Sequence, residues 1–131
     1  MAEGKIVYIA SPYAGDVEGN VEFARAACRL AMEQGNTPVA AHLLYPQMLD
    51  DTVPEQRELG IRMGLKLLGA CSELWLCGSR ISGGMQEELK EAWKHGIPVR
   101  RIPREAVEEF LPPEQGMAGM AQSMGCMGAG L

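Results

Sequence analysis

Short apolar runs alternate with amphipathic stretches along most of this chain. Residues 6–10 are rich in strand-forming side chains and are followed by Ser11 and Pro12, and residues 38–44, 74–77 and 98–102 are the other predicted strands. Such runs are typical of buried strands. Between them, apolar residues recur at helical spacing, and strands that alternate with helices predict parallel βαβ units. We therefore expect an α/β fold with a parallel sheet.

The predicted helices have recognisable ends. Asn20 is expected to cap the first helix, and Gly35 to end it. Thr52 is expected to cap the second helix, followed by Pro54 and a capping-box glutamate. The third helix is expected to begin at Ser82 or Gly83 and to stop at Gly96. A short fourth helix is expected to span about residues 103–110. The buried face of the second helix is predicted to comprise Leu59, Met63, Leu67 and Ala70.

Helical phase separates two adjacent glutamates in the third helix. Its predicted apolar face comprises Met85, Leu89, Ala92 and Trp93. At 100° per residue, Glu87 points about 180° from the centre of this face, and Glu88 about 85° from it. Glu87 is thus expected in solvent and Glu88 at the border of the core. Because Glu88 is expected on the first turn, the helix dipole should keep its carboxyl group ionised. An ionised Glu88 is either a nucleophile or a charge that only stabilises the start of the helix.

The loops that follow the strands are expected to gather on one rim, at residues 11–19, 45–52 and 78–84. The small-residue loop that ends in Gly83 and Gly84 offers free backbone N–H groups at a helix start, which favour an anion such as a phosphate. Tyr13 can stack on a base or simply pack. His42, at the end of the second predicted strand, either reaches the same rim or is a structural, hydrogen-bonded group.

Length and charge narrow the class of protein. The chain has 131 residues and a net charge of −5, which fits one domain and disfavours nucleic acid as a partner. Without an apolar run of membrane-spanning length or a signal peptide, we expect a cytoplasmic protein with no membrane partner. The domain is expected at residues 1–112. Residues 113–131, rich in Gly and Met, are expected to form a flexible tail, or alternatively to pack on a neighbouring subunit.

The four cysteines fit no zinc-binding pattern, even with the two histidines included. Cys28, Cys71 and Cys77 fall on apolar positions of predicted elements, so buried, unreactive thiols are expected. We expect no metal and no cofactor.

Several motifs resemble those of the nucleoside 2-deoxyribosyltransferase-like superfamily, in particular those of its small phage and bacterial members. The first is the segment from Tyr8 to Tyr13 (YIASPY), and the second the segment from Gly84 to Glu88 (GMQEE). Segments 71–76 and 96–99 also fall at the expected places. The resemblance spans about residues 5–102, and the order of strands and helices agrees throughout.

The resemblance implies a flavodoxin-like or Rossmann-like, doubly wound parallel sheet of four to five strands flanked by helices. It also implies a homo-oligomer (a dimer or larger) and a small-molecule partner, a nucleoside or nucleotide. In that family the glutamate that matches Glu88 attacks the anomeric carbon, and the tyrosine that matches Tyr8 positions it. The remaining candidates are substrate-binding residues of the rim: Ser11, Tyr13, His42, Ser82, Gly83, Gly84 and Met85.

The expected activity is an N-glycosidic bond hydrolase or deoxyribosyltransferase that acts on nucleosides or nucleotides through a glutamate nucleophile. The chain departs from the family before the third strand, where Ser72 stands in place of an Asp that contacts the base or assists proton transfer. Glu73 beside it would replace that Asp only if the strand shifted register. This departure motivates an alternative, a non-catalytic protein of the same fold that binds a nucleotide or a nicotinamide-derived signal.

Overall fold

The computed structural model describes residues 4–112, which contain one four-stranded sheet. The strands are β1 (Ile6–Ala10), β2 (Thr37–Val39), β3 (Glu73–Cys77) and β4 (Val99–Ile102), and the helices are α1 (Val17–Glu33), α2 (Pro54–Gly69), α3 (Gly83–Lys94) and α4 (Arg104–Glu108). All neighbouring strands are parallel, in the order β2-β1-β3-β4. The predicted flavodoxin-like parallel α/β sheet flanked by helices is therefore confirmed.

The central strands bury both of their faces, because successive side chains point to opposite sides of a sheet. Val7 and Ile9 of β1 join a cluster with α1 and α4 on one face. Tyr8 and Ala10 join a second cluster on the other face, which is covered by α2 and α3. The chain order changes direction between β1 and β3, so a ligand crevice is expected beyond the carboxyl ends of these two strands.

The first helix starts earlier than its sequence predicts. Asp16, not Asn20, is the N-cap, and its side chain accepts a hydrogen bond from the Gly19 N–H at 3.1 Å. The amide of Asn20 instead donates to the carbonyls of Tyr13 and Ala14, both at 3.0 Å, so it holds the loop before the helix. Gly35, with φ of 83°, follows the end of the helix as predicted.

The prediction of the second helix cap was also wrong. Val53 is the N-cap of α2 and makes no side-chain cap bond. Thr52 bonds to the Asp50 carboxylate through both its backbone N–H (2.9 Å) and its hydroxyl (2.6 Å), so it stabilises a turn before the helix.

The second strand is shorter than predicted. The last pair joins Val39 to Tyr8, so the second strand ends two residues before β1, whose Ile9 and Ala10 pair only with β3. The following residues form two short 3₁₀ helices, Ala41–Leu43 and Tyr45–Gln47. His42 therefore lies on a 3₁₀ turn and not on a strand.

Two helix faces differ from prediction. In α2 the buried residues are Gly64 and Leu68, whereas Leu59 and Met63 are exposed. A small residue on the inner face lets this helix approach the sheet closely. The hydrophobicity of the side chains does not predict which face this is. In α3, Met85 and Ala92 are buried as predicted, but Trp93 is 66% exposed. Glu88 takes part of the buried face in its place.

The cysteines of the described residues are buried, as the sequence predicts. Cys28, Cys71 and Cys77 are buried free thiols as predicted, and burial raises the pKa of Cys77 to about 12. The proposed tail at residues 113–131, including Cys126, lies outside the described residues. Within residues 4–112, no helix has both the length and the apolar character needed to cross a membrane.

The two faces of α3 predict different responses to truncation. Met85→Ala is expected to lower the free energy of unfolding by about 2–5 kcal/mol, because Met85 is fully enclosed. Trp93→Ala, the matched control, is expected to change it by no more than about 0.5 kcal/mol. Urea unfolding followed by far-UV circular dichroism measures both. Equal losses would contradict the observed phase of the helix.

Candidate functional site

A tyrosine and a glutamate meet between the sheet and α3. The Tyr8 hydroxyl on β1 donates a hydrogen bond of 2.7 Å to Oε2 of Glu88. Tyr8 is the third of five residues in β1, so the pair lies about 7 Å below the carboxyl edge of the strand. The two residues are 80 positions apart in sequence, and the fold alone brings them together.

Burial controls the chemistry of this carboxyl group. The Glu88 side chain is 8% exposed, and Oε1 has no hydrogen-bond partner among the described residues. Burial raises the pKa of Glu88 to about 7, although the hydrogen bond from Tyr8 opposes the rise. The same burial, together with Glu88, raises the pKa of Tyr8, which stays a neutral donor.

The sequence-based prediction of a fully ionised Glu88 was therefore wrong. Helix α3 begins at Gly83, which places Glu88 in the second turn and not the first. The effect of the helix dipole falls off within the first turn, so desolvation outweighs it. Glu87 lies in solvent as predicted, where it pairs with Lys90 at 3.5 Å.

Glycine in α2 makes room for the Tyr8 hydroxyl. A Cβ at Gly64 would lie 3.3 Å from this hydroxyl and 3.4 Å from the Cβ of Ala41. Ala41 directly precedes His42, so the start of the 3₁₀ turn lies close to the Tyr8–Glu88 pair. Neither Gly64 nor Ala41 was among the predicted site residues. The repeat of glycine at positions 60 and 64 was the available signal, because glycines four residues apart form a small stripe on one helix face.

Two rings stack beside the first rim loop. The centroids of Tyr13 and His42 lie 5.0 Å apart at an interplanar angle of 25°. Burial lowers the pKa of His42, although the charge of Asp51 and a hydrogen bond to the Ser11 backbone each act to raise it. The Ser11 hydroxyl is buried and has no hydrogen-bond partner within residues 4–112. These predicted site residues therefore lie near one another at the rim.

The glycine-rich loop forms a capped helix start. The Ser82 hydroxyl accepts from the Met85 N–H at 3.2 Å, and the Ser82 N–H donates to Sδ of Met85 at 3.4 Å. Gly83 and Gly84 occupy the first two positions of α3, whose backbone N–H groups lack partners within the helix. Met85 itself is enclosed in the core and does not lie on the rim.

Ser72 and Glu73 lie at the opposite edge of the sheet from the rim. The Ser72 N–H donates to the carbonyl of Ile6, at the amino end of β1. Glu73 bonds to Lys5 at 3.2 Å and to the indole of Trp75 at 2.7 Å, on the face of the sheet away from Tyr8. An acid at either position would therefore not reach the crevice.

The raised pKa of Glu88 makes the stability of the fold depend on pH. Because the folded-state pKa of Glu88 lies above its usual 4.5, the folded protein holds this proton more tightly than the unfolded chain. The contribution of Glu88 to stability is therefore full below about pH 4.5 and is lost as the pH rises through about 7. The loss amounts to about 3 kcal/mol.

Glu88→Gln is expected to remove this pH dependence and to make the protein more stable than wild type at pH 8. Urea unfolding of both proteins at pH 5 and pH 8 measures the effect. Glu87→Gln is the matched control and is expected to behave as wild type, since Glu87 is exposed. An unchanged pH dependence in Glu88→Gln would contradict the burial of an unpaired carboxyl oxygen.

The fold has a solved counterpart. Over 75% of this chain and 72% of the other, the structure is similar to a 2-deoxyribosyltransferase from the psychrotolerant bacterium Bacillus psychrosaccharolyticus, with a TM-score of 0.62. The sequences are 17% identical, so the likeness is one of fold. That enzyme is described as a biocatalyst for the synthesis of antiviral and antitumoral nucleosides.

Comparison of sequences gives a family without an assigned activity. No curated protein matches the chain. The model of a domain of unknown function, DUF7768, matches residues 5–102, which include both Tyr8 and Glu88. Because this match covers most of the chain, the protein belongs to the DUF7768 family.

Proposed function

We propose that this protein cleaves or transfers the N-glycosidic bond of a nucleoside or nucleotide, with Glu88 as the nucleophile. The observation that carries the proposal is the 2.7 Å bond from Tyr8 to Oε2 of Glu88, which leaves Oε1 without a partner among the described residues. One oxygen is thus held by Tyr8 and the other is uncommitted but buried, so attack requires that the substrate displace the side chains that cover it. The resemblance in fold to a 2-deoxyribosyltransferase supports the same chemistry.

The reaction divides into two displacements. In the first, ionised Oε1 of Glu88 bonds to the anomeric carbon, and the electron pair of the carbon–nitrogen bond leaves with the base, which takes up a proton from solvent. In the second, water or another base attacks the same carbon and loses a proton to solvent, and the bond between that carbon and Oε1 breaks to restore the Glu88 carboxylate. Tyr8 keeps the carboxylate oriented through both steps and touches Oε2 throughout.

The rim residues have roles in binding. The stacked rings of Tyr13 and His42 offer an aromatic surface for the base. Gly83 and Gly84 direct free N–H groups toward an anion, which suits a 5′-phosphate, and Ser82 holds their helix start in place. The unpaired hydroxyl of Ser11 is suited to a polar group of the ligand.

A non-catalytic nucleotide-binding protein is the second candidate, and one observation favours it. With its pKa raised to about 7, Glu88 is about half protonated at neutral pH. A neutral carboxyl group is a hydrogen-bond donor and a poor nucleophile, so it suits recognition of a ligand acceptor. A nucleotide that copurifies intact and survives long incubation would support this second function.

Removal of the nucleophile tests the proposed reaction. Wild-type protein incubated with a panel of deoxynucleosides, ribonucleosides and their 5′-monophosphates is expected to release free base, measured by chromatography. Glu88→Gln is expected to lower kcat/KM by about 10³-fold or more, because the isosteric amide cannot form the covalent intermediate. Glu87→Gln is expected to retain activity. No base release from any substrate by wild type would overturn the proposal.

Tyr8 is expected to affect both the rate and its pH dependence. The rate should rise with pH through about 7 as Glu88 ionises. Tyr8→Phe removes the bond that opposes this rise in pKa, so the profile should shift to higher pH, and kcat/KM at neutral pH should fall by about 10–100-fold. A complete pH–rate profile of both proteins measures the shift. A fall in rate with an unshifted profile would argue against contact between Tyr8 and the reacting carboxylate.

A further inference from the structure

The outward face of α2 carries exposed apolar side chains between charges of opposite sign. Leu59 and Met63 are each 37% exposed, whereas the inward face of the helix packs through Gly64 and Leu68. On this face the charges near the start of the helix are acidic, at Glu55 and Glu58, because Arg57 lies about 160° from Leu59. One to two turns later they are basic, at Arg62 and Lys66.

These positions form one stripe. At 100° per residue, Glu55, Arg62 and Lys66 lie within about 60° of Leu59 on one side, and Glu58 follows beside them. Met63 lies about 40° away on the other side. Among the ion pairs of residues 4–112, none involves any of the four charged side chains.

The apolar surface continues beside the stripe. The Asp50 N–H donates to the Gln56 side chain at 2.6 Å, and a Cβ at Gly60 would lie 3.3 Å from Leu49. The segment before α2 therefore lies against the side of the helix next to Met63. On this segment Met48 is 63% exposed. An isolated exposed side chain needs no explanation, but adjoining ones rimmed by unpaired charges indicate an interaction surface.

We propose that this stripe pairs with the same stripe of a second copy of the chain, with the two α2 helices antiparallel. A two-fold axis between residues 60 and 61 places Glu55 opposite the partner's Lys66 and brings Glu58 within one residue, about 1.5 Å along the helix axis, of the level of the partner's Arg62. The same axis brings Leu59 next to the partner's Met63.

Charge complementarity selects this arrangement over others. A parallel pair would place Glu55 beside the partner's Glu55 and Lys66 beside the partner's Lys66, which is repulsive. Each copy carries a net charge of −5, so two copies repel each other in general. A local match of opposite charges around an apolar centre overcomes this repulsion, and a self-complementary patch closes at two subunits.

The proposal is independent of the reaction at Glu88, because α2 presents this stripe on the face opposite Gly64. It predicts a dimer of the full chain, measured by sedimentation and by light scattering across a range of concentrations. Leu59→Lys is expected to weaken the dimer by more than about tenfold. Ile61→Lys is the matched control, since Ile61 is 48% exposed on the same helix but about 160° from Leu59, and it should leave the dimer intact.

Charge exchange tests the antiparallel register directly. Glu55→Lys alone and Lys66→Glu alone are each expected to weaken the dimer by about tenfold, because each places like charges opposite one another twice. An equimolar mixture of the two variants should associate again, since every Lys then faces a Glu. The double variant Glu55→Lys with Lys66→Glu should also recover.

The outcomes separate the alternatives. A wild-type mass of one chain at all concentrations would overturn the proposal. So would a dimer that survives Leu59→Lys or that Ile61→Lys disrupts, or a mixture of the two charge variants that stays monomeric. Circular dichroism confirms that each variant is folded, so a change in mass reports on association alone.

Discussion

The hydrogen bond between Tyr8 and Glu88 is the interaction around which this site is organised. It joins the central strand to α3 and is compatible with only one rotation of that helix, the one that turns Glu88 inward and leaves Trp93 in solvent. This hydrogen bond leaves one oxygen of Glu88 unpaired, so it does not offset the full free-energy cost of removing the carboxyl group from water. A buried glutamate that lowers stability in this way is better explained by a chemical role than by a structural one.

Much of the fold could be predicted because it depends on local pattern. The five residues of β1 form an uninterrupted apolar run ended by Ser11 and Pro12, and the structure has the same strand boundaries. The errors occur where tertiary partners decide. The second strand gives way to a 3₁₀ turn two residues before β1 ends. The start of α1 depends on which of two suitable polar side chains, Asp16 or Asn20, reaches the free N–H groups.

The contact between Tyr8 and Glu88 agrees with the sequence-based expectation, whereas the enclosed position of Met85 and the raised pKa of Glu88 do not. Helical phase distinguished Glu88 from Glu87, yet phase gives direction only and cannot give the amount of protein above the side chain. The helix dipole was therefore given too much weight, and burial, which acts in the opposite sense, controls the pKa. Hydrophobicity likewise failed for part of α2, where Gly64 lies beside Leu68 on the buried face while Leu59 and Met63 are exposed.

Glycine on the inner face of α2 connects these observations. Because Gly64 has no side chain, the helix can approach the Tyr8 hydroxyl closely, and it then covers Tyr8 and excludes water from the carboxyl group. Leu68 packs beside Gly64 on the same inner face, whereas Leu59 and Met63 lie on other sides of the helix and are exposed. The position of Gly64 thus bears on two features, the burial of the Tyr8–Glu88 pair and the direction in which the apolar stripe faces. A larger residue at position 64 would move the helix outward and alter both surfaces together.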